Sequence, residues 1–217
     1  MNRLMDMNSP LMQFLSRVGD LILLNLLTLL FSIPLVTVGA AVTALHVSME
    51  KLRKDEGTLF KNYISAFKAN FLQATGIWLV LLFFGAIASF GVLSYTFGYR
   101  PEGLNVSPLL IVCLIFFALW LFTVSWVFPL QARFSNTVFG TLKNALICSI
   151  AFFPRTLVIV VINALPFVLL TGNSAIFLTA MILWAMLYFS VGAWLISSLL
   201  HVPFRKLAPE LELEDLP

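Results

Sequence analysis

Charge is what this sequence has least of. Only 11% of its 217 residues are Asp, Glu, Lys or Arg and 60% are hydrophobic, whereas soluble domains run near 25% charged and 45–50% apolar. Those proportions exclude a soluble enzyme. Cysteine is nearly absent: Cys113 and Cys148 have no metal-binding spacing between them, and a disulfide is not expected. The two histidines, His46 and His201, have no His or carboxylate partner at ligand spacing, so no metal site is expected. No glycine loop with a following Lys, no Gly-x-Ser-x-Gly elbow and no His-Glu-x-x-His helix occurs. No cofactor is therefore expected, and an intramembrane enzyme would need convergent ionisable groups that the chain lacks. The basic residues are scattered over short connections without interleaved aromatics, which excludes a nucleic-acid groove. No small-residue cleavage site follows the first apolar run cleanly, although Val38-Gly39-Ala40-Ala41 is small enough to keep a removable leader as a minor alternative.

What the chain does have is long uncharged stretches. Leu21 to Met49, Ala69 to Tyr99, Gly103 to Ala132 and Thr156 to Phe204 each exceed the roughly 20 residues that an apolar helix needs to cross hydrocarbon. The expected fold is an all-α polytopic membrane protein, a single integral membrane domain over 1–204 with an acidic tail over 205–217. Ala74 to Gly98 and Ser107 to Leu130 read as single crossings joined by Tyr99-Arg100-Pro101-Glu102-Gly103. Thr171-Gly172-Asn173-Ser174 divides the last stretch into spans near Arg155 to Leu170 and Ala175 to Leu200.

The first stretch hinges on Pro34, which removes a backbone donor and pushes Ile33 out of helical geometry. Two readings follow. Arg17 to Ile33 goes out and Val36 to Arg53 returns, giving six crossings as three hairpins near 17–53, 74–130 and 155–200. The alternative is one kinked helix and five crossings. Cytoplasmic connections carry the excess of Lys and Arg. With a turn at Pro34, every Lys and Arg except Arg100 falls on one side; a single kinked helix moves Arg3 and Arg17 to the other. Six crossings with both ends cytoplasmic are favoured.

Two connections on the cytoplasmic side look helical in their own right. Phe60, Ile64, Phe67 and Phe71 recur at helical spacing while Lys61, Ser65 and Lys68 share another face; Phe139, Leu142, Leu146, Ile150 and Phe153 repeat the pattern beside Lys143. They are read either as interfacial amphipathic helices that dock a partner through Lys61, Phe67, Lys68, Phe71 and Lys143, or as plain lead-ins to the next crossing. Lys61-Asn62 with Ala69 and Phe71 matches Lys143-Asn144 with Ala151 and Phe153, and Phe14, Arg17 and Asn25 match Phe152, Arg155 and Asn163, at identical spacing. These matches suggest repeated units of an interfacial segment and a hairpin.

Polar residues at membrane depth are few. Asp20, Asn25, Thr37 and Asn163 are the candidates for a polar cavity, joined at depth by Thr28 and Ser125. For Asp20 the competing reading is an i, i+3 pair with Arg17; for the asparagines it is hydrogen bonding between helices. Pro34, Thr37, Gly39, Ala40, Thr43 and Ala44 form a small-residue motif suited to close helix packing.

Asp20-Leu21-Ile22-Leu23-Leu24-Asn25, Ile33-Pro34-Leu35-Val36-Thr37-Val38-Gly39-Ala40-Ala41, Phe67-Lys68-Ala69-Asn70-Phe71, Lys143-Asn144-Ala145-Leu146 and Phe153-Pro154-Arg155-Thr156-Leu157 recur in an order that resembles the YesL family of bacterial membrane proteins. The resemblance spans essentially the whole chain. It implies a protein mainly of Gram-positive bacteria, of a family without assigned function, encoded beside carbohydrate importers of the ATP-binding-cassette type. The implied role is accessory to oligosaccharide uptake, with membrane lipids and another membrane protein, such as an importer permease, as partners. A second copy of the chain is a further candidate partner, and a small stand-alone sugar or ion transporter is the alternative function. The resemblance supplies no catalytic residue.

Overall fold

A computed structural model describes residues 10–97, 108–170, 181, 182 and 184–207. Arg3, Arg100, the Thr171–Ser174 turn and the acidic residues of the tail lie outside the described residues. Among those described there is no strand. The order is α1 (Pro10–Ser32), a 3-10 turn (Leu35–Thr37), α2 (Val38–Arg53), α3 (Leu59–Phe97), α4 (Pro108–Arg133), α5 (Val138–Ala151), α6 (Phe153–Leu170), a π-helical turn (Trp184–Tyr188) and α7 (Phe189–Leu207). Five segments are long and apolar enough to cross a membrane: 11–32, 35–53, 59–94, 108–133 and 184–204. The pair α5 and α6, bent by 107°, makes a sixth if counted as one span. The chain is thus a helical protein of the multi-pass membrane type.

Pro34 turns the chain rather than kinking it. Proline at the first position opens α1, where its missing N–H costs nothing. The helix ends at Ser32, because Ile33 precedes the next proline. Thr37 then closes the turn, its hydroxyl donating to the carbonyls of Phe31 at 2.6 Å and Pro34 at 2.8 Å. That α2 returns beside α1 is fixed at the far end, where the Arg17 guanidinium donates to the Leu52 carbonyl at 2.9 Å and to the Asp55 carboxylate at 2.6 Å. The single kinked helix is therefore not what forms, while the count stays at five spans, or six with the bent α5–α6 pair.

Of the two readings of the first amphipathic connection, the lead-in is the one that forms, since residues 59–73 are the first part of the continuous helix α3. No proline interrupts Leu59–Phe97, so the hydrogen-bond ladder has no reason to stop. At 1.5 Å per residue the helix is about 58 Å long, nearly twice the roughly 30 Å of a hydrocarbon core. Its lead-in carries Lys61 and Lys68, while its C-terminal part is uncharged. The second connection does form its own helix. Thr137 caps α5 by accepting from the Gly140 N–H at 3.1 Å, and α5 breaks from α6 at Phe152. Thr156 ties that corner together. It accepts from the Trp126 indole at 2.8 Å and donates to the Ser149 carbonyl at 2.7 Å, linking α4, α5 and α6.

Lipid offers apolar side chains as good an environment as a protein interior, so packing in a bilayer relies on close fit and on hydrogen bonds. Two clusters show it. One gathers Ile77, Trp126, Val127, Leu130, Ile159 and Leu200 around α4. The other gathers Leu24, Ala44, Leu45, Met49, Tyr63 and Ala193 around α2. The α3–α4 pair owes its closeness to glycine: a Cβ on Gly85 would lie 2.5 Å from the Trp120 ring, and one on Gly91 would lie 2.6 Å from the Cys113 sulfur. The Trp120 indole donates to the Leu81 carbonyl at 2.7 Å in the same seam.

The α1–α2 turn meets α3 at its middle, where the Trp78 indole donates to the Leu35 carbonyl at 2.7 Å. Beyond Trp78, α3 continues to Phe97 with Phe83, Phe84, Ile87 and Phe90 all exposed. Basic groups collect at the opposite end. Arg17 pairs with Asp55, Arg133 pairs with Glu50 at 2.9 Å, and Arg53 reaches Ser198 at 3.4 Å.

Candidate functional site

The polar side chains at depth are bound into the fold. Asn25 on α1 is fully buried, and its amide is inserted into the backbone ladder of another element. Nδ2 donates to the Ala185 carbonyl at 2.7 Å, while Oδ1 accepts from the N–H groups of Phe189 at 2.7 Å and Ser190 at 3.2 Å. A π-helical turn disrupts the regular i to i−4 pairing, and a side chain inserted into the ladder supplies partners for the freed groups. Ser190 adds a reciprocal bond from its hydroxyl to the Leu21 carbonyl at 2.6 Å. Asn163 on α6 borders the same π turn through its backbone: the Tyr188 hydroxyl donates to the Asn163 carbonyl at 3.2 Å and to that of Ile162 at 3.0 Å. The two asparagines thus flank one element from different helices. Thr28, Thr43 and Ser125 each donate to a carbonyl one turn back, on Leu24, Gly39 and Leu121. Of the residues expected to form one polar cavity, the side chains of Asn25 and Thr37 are thus engaged in separate structural bonds.

The small-residue motif sits against α3 and α4. Gly39, Ala40, Thr43 and Ala44 are buried, whereas Pro34 is exposed on the turn that aims them. A Cβ on Gly39 would fall 2.5 Å from the Ala74 carbonyl oxygen and 3.2 Å from the Phe128 ring.

Asp20 departs from the pairing expected for it. Arg17, three residues earlier, spends its guanidinium on Leu52 and Asp55 across the α1–α2–α3 mouth, a partner that local spacing does not reveal. Among the described residues no hydrogen bond or ion pair reaches the Asp20 carboxylate. Asp20 instead lines an open cleft of about 570 Å³ between α1, α2 and the loop into α3, together with Arg17, Ser48, Leu52, Asp55 and Glu56. Met12, Leu59 and Asn62 complete its nearer walls. The loop is built by two residues in the left-handed region, Asp55 at φ 55° and Gly57 at φ 66°, the second being a conformation that glycine adopts without strain. Asn62 fastens it by donating to the Glu56 carbonyl at 2.6 Å. Sequence reasoning did not single out Ser48, Asp55 or Glu56; the run Lys54-Asp55-Glu56-Gly57 next to a helix start was the available signal.

Of the residues expected to dock a partner, Lys61, Lys68 and Lys143 are exposed and Phe71 is at the edge of exposure. Phe67 is taken up by the fold: its ring lies 4.7 Å from that of Phe31 and 5.5 Å from that of Phe71. On α5 the outward face carries Phe139, Ile147 and Ile150 beside Lys143, while Thr141, Ala145, Cys148 and Ser149 face the core. Among the described residues no group of three or more His, Cys, Asp or Glu is placed to hold a metal ion.

Residues 21–92 match the family described as Protein of unknown function, DUF624. The match is consistent with a YesL-type family, and it takes in the body of α1, the Pro34 turn, α2 and most of α3. It therefore contains the Asn25 insertion, the Gly39–Ala74 approach and the Trp78–Leu35 bond. Neither the curated proteins nor the solved structures contain a match to the chain.

Proposed function

We propose that the DUF624-matching chain is a membrane accessory subunit that works by binding another membrane protein, the permease half of a carbohydrate importer of the ATP-binding-cassette type, in a bacterial plasma membrane with its C-terminus cytoplasmic. The observation that carries the contact role is the use of its polar groups. Asn25, Thr28, Thr43, Ser125, Thr156 and Ser190 all have partners within the helices, so they hold the scaffold together instead of offering a ligand a polar path. What the scaffold presents outward is apolar helix surface on α3, α4 and α5 flanked by Lys61, Lys68 and Lys143. Such a combination suits helix-to-helix docking with a charged rim. The carbohydrate assignment is supported by the YesL resemblance, and the orientation by the basic end formed by Arg17, Arg53 and Arg133.

Purification from the native host at endogenous levels tests the reading. The importer permease should co-purify, and Lys61→Glu with Lys68→Glu should weaken its recovery without unfolding the protein, because rim charges act on encounter and specificity. Saturable sugar or ion flux from the purified protein alone in liposomes, abolished by Asp20→Asn, would instead make it a transporter.

A further inference from the structure

We infer that α5 lies flat along the membrane surface and binds the headgroups of anionic phospholipids through Lys143. The inference goes beyond the accessory role: it gives the outward face of α5 to lipid and leaves the α3 and α4 surfaces, with Lys61 and Lys68, for a protein partner.

The bend sets the direction of the helix. α6 is 18 residues long and carries one charged residue, Arg155, in its first turn. At 1.5 Å per residue it measures about 27 Å, close to the roughly 30 Å of hydrocarbon. It can cross unaided. A helix bent by 107° from such a span runs nearly along the membrane plane.

The ends of α5 set its depth. On α3 the last charged residue is Lys68, and the Gln73 amide, one turn and a half further on, donates to the Asn136 carbonyl just before α5. On α4, which leads into that loop, the only charged residue is the final one, Arg133. At the other end of α5 stands Arg155, with no further charge up to Leu170. The helix therefore follows the line along which three spans change from apolar to charged, which is where hydrocarbon gives way to headgroups.

The outward face fits that place chemically. Phe139, Lys143, Ile147 and Ile150 succeed one another at spacings of four, four and three, so they share one face. All four are exposed, while Thr141, Ala145 and Cys148 face the core. A lysine in the middle of an apolar stripe suits neither medium: water leaves the ring and branched chains uncovered, and hydrocarbon strands the ammonium. The interface satisfies both, because the Lys143 stem lies along the apolar chains while its ammonium reaches the phosphates. Among the described residues no carboxylate pairs with Lys143 or with Arg155, whose guanidinium lies over the Phe152 ring at 5.9 Å. An anionic headgroup supplies the missing charge, whereas a protein on this face would need a carboxylate at the centre of its contact.

Depth and lipid preference test the inference on the purified chain without any permease, so that failure here leaves the accessory role standing. After replacement of Cys113 and Cys148 by alanine, spin labels at Phe139→Cys, Ile147→Cys and Ile150→Cys in nanodiscs should report one shared shallow depth by their access to oxygen and to a nickel complex. Depth rising steadily from 139 to 150 would make α5 half of a broken span, and free nickel access at all three would leave the face for a protein; either result overturns the inference. A fluorophore at Phe139→Cys should be quenched more by brominated phosphatidylglycerol than by brominated phosphatidylcholine at equal content. Lys143→Gln should cut that preference about fivefold, the effect of one lysine near an anionic surface, whereas Lys143→Arg keeps it. Equal quenching by both lipids, or a preference that Lys143→Gln leaves intact, overturns it as well. Should the alanine background fail to fold, native mass spectrometry decides with both cysteines in place. The parent chain should then retain phosphatidylglycerol over phosphatidylcholine more strongly than Lys143→Gln does, and equal retention by the two overturns the inference.

Discussion

Gly39 on α2 approaches Ala74 on α3 so closely that a Cβ on the glycine would stand 2.5 Å from the alanine carbonyl oxygen. The obstacle is backbone, which cannot rotate away as a side-chain tip would. The neighbouring Trp78 Cβ, at 2.6 Å, closes the other direction. Gly39→Ala should therefore destabilise the protein by about 1–3 kcal/mol, the usual cost of overpacking, and Gly39→Leu by more. Thermal unfolding in detergent measures it. Unchanged stability for both variants would show that α2 and α3 are free to separate.

The Asn25 insertion predicts a different kind of loss. Asn25→Leu keeps the branching of the side chain and removes both donor and acceptor, leaving the Ala185 carbonyl and the N–H groups of Phe189 and Ser190 to find other partners. Buried groups left unpaired cost about 1–3 kcal/mol, whereas interhelical hydrogen bonds in membranes average about 0.6 kcal/mol. The larger range is expected here because one side chain serves several backbone groups at depth. Hydrogen exchange at the Phe189 and Ser190 amides should accelerate selectively. Exchange that stays as slow as in the parent chain would mean that the π turn is held by its own ladder.

Much of this architecture is legible from local chemistry. Pro34 with Thr37 marks a turn because proline physics is local, and the lysine-flanked uncharged stretches delimit the helices. The continuity of α3 was obscured by a change from amphipathic to uniformly apolar sequence, which looks like a boundary although nothing at Ala69 to Ala74 breaks a helix. Periodicity also gave no means of deciding which side of α5 faces inward, since lipid tolerates Phe139 and Ile150 as well as a core does. Least legible were the long-range bonds. Nothing near Asn25 announces a partner at 185–190, and nothing near Arg17 announces Asp55 in preference to the adjacent Asp20.

Trp78 bonded to the Leu35 carbonyl implies a depth for the Pro34 turn. Ile33, Leu35 and Val36 are exposed there, and the α3 surface running past them exposes Phe83, Phe84, Ile87 and Phe90. Placing that surface in water would expose a large apolar patch, so the hydrocarbon must extend beyond the turn. A spin label at Leu35→Cys should be accessible to oxygen and shielded from a water-soluble nickel complex, with the reverse at Asp55→Cys. Nickel access at position 35 would put the turn in external water.

The proposed orientation makes a prediction about the end at which the cations sit. Arg17, Arg53 and Arg133 are brought to one end by their contacts with Asp55, Ser198 and Glu50. Under the proposed orientation, retention of positive loops on the cytoplasmic side predicts that this end is inside. After replacement of Cys113 and Cys148 by alanine, cysteines introduced at the exposed positions Lys54 and Lys143 should resist a membrane-impermeant maleimide in intact cells. They should react once the cells are permeabilised, and a cysteine at Arg100, which lies outside the described residues, should react in both conditions. The two lysine sites test separate connections, one before α3 and one within α5, so a mixed result would locate the error in a particular segment. Labelling at both lysine sites in intact cells, with protection at position 100, would invert the whole protein and place the cleft holding Asp20 and Ser48 on the external face.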